Sequence, residues 1–156
     1  IMNGVALQGA LESKGVASTV MSALVDAPLC EPYSQRRALQ CLAQGELVIF
    51  VGGLGTPYFT TDSAASSRAL EIGADVLLKG TSVDGVYTAD PKQDAMAQRY
   101  DRVSFQEVQD KQLRVMDATA FTLCAENGMP IVVFDVNRPG NLCHVIQGKA
   151  LGTLIH

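Results

Sequence analysis

Between Glu46 and Lys79 the sequence sets a near-continuous apolar run (Glu46 to Val51), a glycine-rich loop (Gly52 to Thr61), a helix-forming stretch (Asp62 to Ile72, ended by Gly73) and a second apolar strand (Asp75 to Lys79). An apolar run bounded by glycine and free of polar alternation suits a strand buried on both faces, as central strands of parallel sheets are. Strand, helix and strand in that order make a βαβ unit. This order constrains the chain to the α/β class.

The remaining sequence repeats the alternation. A helix runs from the start of the chain with Val5, Leu7, Ala10 and Leu11 apolar, and Thr19 to Val25 reads as a strand closed by Asp26, Ala27 and Pro28. Gln35 to Gln44 reads as a helix ended by Gly45. After a long polar loop, Gly80 to Arg99, Ser104 and Glu107 form an S-x-x-E capping box that starts a short helix. Asp117 to Asn127 is a further helix stopped by Gly128 and Pro130, feeding the strand Ile131 to Phe134. A turn at Asn137 to Gly140, a helix from Leu142 to Gln147 and a strand from Gly152 to Ile155 complete the pattern. The expected fold is a three-layer αβα sandwich with a mainly parallel sheet, organised as a single domain over residues 1–156.

Composition narrows the function classes. The 156 residues are 47% hydrophobic and carry a formal charge of −4, which disfavours a surface that wraps a nucleic-acid polymer or an anionic membrane. The longest apolar stretch, Leu47 to Gly55, falls far short of the ~20 residues of a membrane span, and no signal peptide is evident, so a cytoplasmic protein is expected. Cys30, Cys41, Cys124 and Cys143 form no CxxC pair and have no His cluster near them, so they read as reduced core thiols and no protein-held metal is expected. The first helix has no Ser, Thr or Asp cap ahead of Ile1, which predicts that the fold begins upstream.

Ligands of parallel α/β sheets bind outside the carboxyl ends of strands, which directs attention to the loops after Val51, Lys79 and Phe134. In the first, three glycines let the backbone approach a phosphate, and Thr56, Thr60 and Thr61 add hydroxyls at a helix N-terminus. The Walker lysine is absent, so the loop is not a P-loop; a tight turn with Thr61 or Asp62 as N-cap fits the same residues. In the second, Asp84-Gly85 is a turn signal. The alternative there is a nucleotide pocket with Tyr87 as aromatic wall and Thr81 and Asp90 bonding a base or ribose. Asp117 on its own reads as an N-cap, and Arg36-Arg37 as a solvated helix face. Lys79, at a strand end, reads either as a phosphate-neutralising cation or as a snorkelling lysine, while His144 and His156 are too few for a Ser-His-Asp or Cys-His site.

Taken together, G-G-x-G-x-P-Y-F-T-T-D (Gly52 to Asp62), V-D-G-V-Y-T-A-D-P (Val83 to Pro91) and V-M-D-x-x-A (Val115 to Ala120) resemble the bacterial UMP kinases of the amino-acid kinase family. Met2-Asn3-Gly4 and Gly152 to Ile155 match in the same order, so the resemblance covers the whole chain. It implies phosphoryl transfer from ATP to UMP, giving ADP and UDP, in pyrimidine nucleotide biosynthesis, on a fold that usually assembles as a homohexamer. It also implies UMP contacts from Leu54, Gly55, Thr56, Pro57, Tyr58, Phe59, Thr60 and Thr61, ATP contacts from Thr81, Tyr87 and Asp90, and catalytic roles for Asp62 and Asp117. Mg2+ would be held mainly through the ATP phosphates. Such chemistry rests on positioning and charge neutralisation, so a missing nucleophile is no objection.

Three departures accompany the resemblance. Leu54 and Thr56 replace a common Thr and Asn, leaving a backbone cradle for UMP. Glu12, Thr19 and Glu46 stand where some members carry residues for allosteric GTP, so GTP activation is not expected. The family's early strand, Lys-x-Ser-Gly-type loop and Gly-Gly-Gly loop are not in the chain, which looks like the family's C-terminal two-thirds; the segment alone is expected to be inactive, and unstable or prone to associate. The alternatives are a non-catalytic nucleotide-binding or storage module of the same fold, discriminated by whether those loops exist upstream, and an acetylglutamate or aspartate kinase, disfavoured by Tyr58 to Asp62.

Overall fold

Val20 and Met21 point to opposite faces of one strand, and both are buried. The computed structural model describes residues 1–25, 28–89, 91, 93–94 and 96–156, and the chain divides into two units, Ile1–Gly73 and Ala74–His156. The first unit contains α1 (Met2–Glu12), β1 (Ser18–Ser22), β2 (Glu31–Pro32), α2 (Gln35–Ala43), β3 (Leu47–Val51) and α3 (Thr61–Glu71). β1 lies between β2 and β3 and is parallel to both, with Ser18 opposite Leu47 and Ser22 opposite Val51.

Each face of β1 has its own helix. On the Val20 side, α1 comes so close that a Cβ at Gly4 would collide with Val51 Cγ1 and stand 3.5 Å from Val20 Cγ1. On the Met21 side, Ala38 and Cys41 of α2 are fully buried against Met21, with Tyr33, Val48, Phe50 and Ile72 packed around them. Burying a side chain such as Met21 contributes about 1.5–3 kcal/mol. The first unit is thus helix, sheet and helix, in layers.

Two expectations are corrected here. β1 ends at Ser22 rather than Val25, because the Ser22 hydroxyl accepts the Leu24 N–H at 3.0 Å and turns the chain. Asp26 and Ala27 lie outside the described residues. The strand buried on both faces is β1, not the apolar β3, which is an edge strand with Leu47 exposed and its other residues half-buried. The hydroxyls of β1 disguise its burial, since Thr19 satisfies its own by donating to Glu46 Oε2 at 2.7 Å.

The second unit contains β4 (Leu77–Thr81), β5 (Arg102–Val103), α4 (Phe105–Asp110), α5 (Ala118–Glu126), β6 (Ile131–Asp135), α6 (Asn141–Ile146) and β7 (Thr153–Ile155). Its sheet order is β4-β6-β7-β5; β4–β6 and β5–β7 are parallel and β6–β7 is antiparallel. The mixed α/β architecture with mainly parallel pairing is as expected. β3 and β4 belong to separate sheets, however, so strand pairing among the described residues does not close the expected βαβ unit.

Helix ends follow the sequence signals closely. Ser104 Oγ accepts the Glu107 N–H at 3.1 Å, and Asp117 Oδ1 accepts the Ala120 N–H at 3.0 Å. Cys41 and Cys124 are buried, but Cys30 is half-buried and Cys143 exposed, so the core-thiol reading holds for two of the cysteines. Among the described residues no helix is long and apolar enough to cross a membrane.

Gly152 fixes how β7 enters its sheet. Its φ is +95°, and a Cβ there would collide with the Val133 carbonyl oxygen, which is backbone and cannot rotate away. Gly152→Ala is expected to destabilise the full-length protein by about 2–4 kcal/mol, read as a lower denaturant midpoint; an unchanged midpoint would show that β7 has room at this point.

Candidate functional site

The loop after β3 is shaped by backbone conformation. Gly52, Gly53 and Gly55 all have positive φ, and a Cβ on Gly55 would stand 3.0 Å from the Ala23 carbonyl oxygen. Tyr58 also has positive φ, at 70°, although it is not glycine, and its side chain is fully exposed. A tyrosine held in the left-handed region is strained, a condition that collects at ligand-binding loops.

The loop ends on the N-terminus of α3. Thr60, in extended backbone, accepts the N–H groups of Asp62 and Ser63 at 3.1 and 3.2 Å, so Thr60 is the N-cap, one residue before the expected Thr61 or Asp62. Asp62 then sits half-buried in the first helical turn, where a negative charge is favoured by the helix dipole. Leu54 to Thr61 and Asp62 are therefore brought together in the first unit, on one loop and one helix start.

The far end of α3 is held by a polar cluster that the sequence reading passed over. Arg68 is buried, with its guanidinium carbon 3.5 Å above the Tyr33 ring and Nη1 donating to Glu71 Oε2 at 2.7 Å. Glu71 also accepts from the Tyr33 hydroxyl and from Ser67 Oγ. Burial pushes the Glu71 carboxyl up, but hydrogen bonds from Tyr33, Arg68 and Ser67 outweigh it and hold the carboxyl below its ordinary value. Burial, and then donation to Glu71, raises the Tyr33 phenol. The only local signal was the i, i+3 spacing of Arg68 and Glu71.

The second unit holds a cavity of about 400 Å³ lined by Val83, Gly85, Val86, Tyr87, Leu113 and Arg114, among others. That volume lies within the range of small-molecule sites. The Tyr87 hydroxyl donates to Asp84 Oδ1 at 2.8 Å, a bond that raises its phenol above the ordinary value. Arg99 Nη1 reaches the same carboxylate at 3.4 Å and the Asp84 carbonyl at 3.3 Å. The segment is thus more than a bare turn.

The cavity lining includes one of the expected ATP contacts. Tyr87 lines the cavity, whereas Thr81, half-buried at the end of β4, and Asp117, the cap of α5, are not among its lining residues. Asp90 lies outside the described residues. A second lining segment, Lys111 to Arg114, was not singled out from sequence, although it directly precedes Val115 to Ala120.

A glycine-shaped loop on a capped helix and an aromatic-walled cavity beside a V-D-G-V-Y turn are features that comparison can test. The profile of the Amino acid kinase family matches residues 1–135. The chain belongs to the amino acid kinase family. Among solved structures, a UMP kinase from Bacillus anthracis is 36% identical with a TM-score of 0.95, the match covering 99% of this chain and 64% of that one. A UMP kinase from Ureaplasma parvum is 38% identical with a TM-score of 0.93, covering 99% and 66% respectively. A uridylate kinase from Archaeoglobus fulgidus is 35% identical with a TM-score of 0.65, covering 80% and 59%. The chain therefore spans slightly less than two thirds of the length of the bacterial kinases it matches.

The cluster on α3 carries a pH prediction. A carboxyl held below 4.5 in the folded state contributes stability that is present above that value and lost as pH falls through the lowered one. Glu71→Gln is expected to flatten the fall in Tm between about pH 5 and pH 3 while lowering Tm at pH 7. Parallel Tm profiles for the two proteins would assign the acid sensitivity to other carboxylates.

Proposed function

We propose that the full-length protein transfers the γ-phosphoryl group of ATP to UMP, giving ADP and UDP, as a step of pyrimidine nucleotide biosynthesis in the cytoplasm. The observation that carries this is the Gly52 to Asp62 loop seated on the N-terminus of α3, in a chain 36–38% identical to two bacterial UMP kinases over 99% of its length. The reading treats residues 1–156 as part of one amino-acid kinase domain, assembled as a hexamer.

In this reading the first unit receives the acceptor. Leu54 to Thr61 hold UMP, with backbone amides released by the positive-φ glycines approaching its phosphate. The Thr60 hydroxyl fixes the helix start, and Asp62 stands in the first turn beside it. The second unit receives the donor's adenosine: Tyr87 offers its ring at the cavity wall, its hydroxyl tied to Asp84, and Thr81 and Asp90 add polar contacts. Asp117 serves near the reacting phosphates. Phosphoryl transfer of this kind asks the protein for position and charge compensation more than for a covalent partner.

Mg2+ takes oxygen ligands, keeps several waters and commonly binds through substrate phosphates. The hydroxyls, backbone amides and single carboxylates of Thr60, Asp62 and Asp117 fit a metal carried on ATP better than an ion enclosed by protein. When bound, it neutralises charge on the phosphates.

ADP release by the full-length protein, compared with UMP, CMP and acidic amino acids as acceptors, tests the assignment. Turnover with UMP is expected, and turnover with an amino acid alone would overturn it. Asp62→Asn is expected to lower kcat by about 10²-fold with little change in KM. Tyr87→Ala should instead raise the KM for ATP about tenfold. Unchanged kinetics in both variants would refute these positions.

A further inference from the structure

Thr153 is completely buried on β7, and its hydroxyl is fully used by the loop that forms one wall of the cavity. It accepts the Val86 N–H at 2.8 Å, 67 residues away in sequence, and donates to the Tyr100 carbonyl, 53 residues away. Val86 and Tyr100 are themselves joined, because the Tyr100 N–H donates to the Val86 carbonyl at 2.8 Å. One hydroxyl therefore closes the base of the Val86 to Tyr100 excursion.

The excursion carries the Tyr87 wall upward from that base. Tyr87 bridges to Arg99, and the Thr88 N–H donates to the Gln98 carbonyl at 2.9 Å. Gly85 is required beside the hydroxyl: a Cβ there would stand 2.6 Å from Thr153 Oγ1 and 2.8 Å from Arg99 Cδ. Tyr100 extends the connection to the second lining segment, since its hydroxyl accepts from Lys111 Nζ at 2.9 Å and Lys111 heads the segment Lys111 to Arg114.

We infer that Thr153 is a positioning residue for the nucleotide that enters this cavity, setting through Val86 and Tyr100 the separation between Tyr87 and the Lys111 to Arg114 wall. The inference rests on the kinase reading, in which that nucleotide is ATP. Thr153→Val keeps shape and removes both hydrogen bonds, leaving a buried Val86 N–H and a part-buried Tyr100 carbonyl without that partner.

The test is steady-state kinetics on the full-length protein. Thr153→Val is expected to raise the KM for ATP about tenfold and to leave the KM for UMP within about twofold, while Thr153→Ser, which keeps the hydroxyl, stays close to the parent for both. A general loss of structure would not separate the two substrates or be rescued by serine. Equal effects on both KM values, or a Thr153→Val enzyme indistinguishable from the parent, would overturn the inference. Should Thr153→Val fail to fold, amide exchange in the parent protein decides: the Val86 amide must exchange as slowly as the amides of β6 and β7, and exchange at the rate of an unprotected amide would overturn it. Absence of UMP phosphorylation by the parent itself is a different result; it removes the kinase reading and the inference with it.

Discussion

Parallel strand pairing is the constraint on which the rest of the chain depends. Two parallel neighbours cannot be joined by a hairpin, so the chain must leave the carboxyl end of one strand and return along a face of the sheet to start the next. α2 makes that return between β1 and β3, and the segment from Ser82 to Pro130 makes it between β4 and β6. α2 on its return buries the Met21 face of β1 and α1 covers the Val20 face, while the exits from β3 and β4 become the loops that carry Leu54 to Asp62 and Tyr87. Core and candidate site come from the same topological requirement.

Holding these loops still requires long-range polar contacts. The loop after β3 is fixed at its exit by the Thr60 cap, and the helix it enters is fixed at its other end by Tyr33, Arg68 and Glu71. A buried guanidinium is costly to desolvate, and here it is offset by a short ion pair and an aromatic face. In the second unit the buried contact is a neutral hydroxyl, Thr153, which carries no charge to desolvate, and the charged pair of Arg99 with Asp84 stays partly exposed. The two loops are thus secured by different chemistry.

Several local signals were legible in the sequence where a single turn of chain contained both partners, although the cap at Thr60 was displaced to Thr61 or Asp62. Ser104 with Glu107, Asp117 with Ala120, and the stops at Gly45, Gly73 and Gly128 all depend on neighbours within four residues, and the elements formed there. The motif strings coincide with the loop that enters α3 and, at Tyr87, with the lining of the cavity. What escaped was non-local. β1 hides its burial behind Thr19, whose partner Glu46 is 27 residues away. The Tyr33–Arg68–Glu71 cluster and the contact of Thr153 with Val86 likewise join residues whose proximity only the fold creates, whereas the shortened end of β1 turns on a contact only two residues apart.

The strand order of the second unit has a consequence for how it is made. β7 lies between β6 and β5, yet it follows both in the chain. During synthesis β5 has no strand to pair with until about fifty further residues have left the ribosome, and the sheet closes only when its middle is inserted last. A late central strand raises the sequence separation of the contacts that complete the fold, which slows folding and leaves two strand edges open meanwhile. The Thr153 hydroxyl arrives with that strand, so the excursion bearing Tyr87 acquires its base only once β7 is in place.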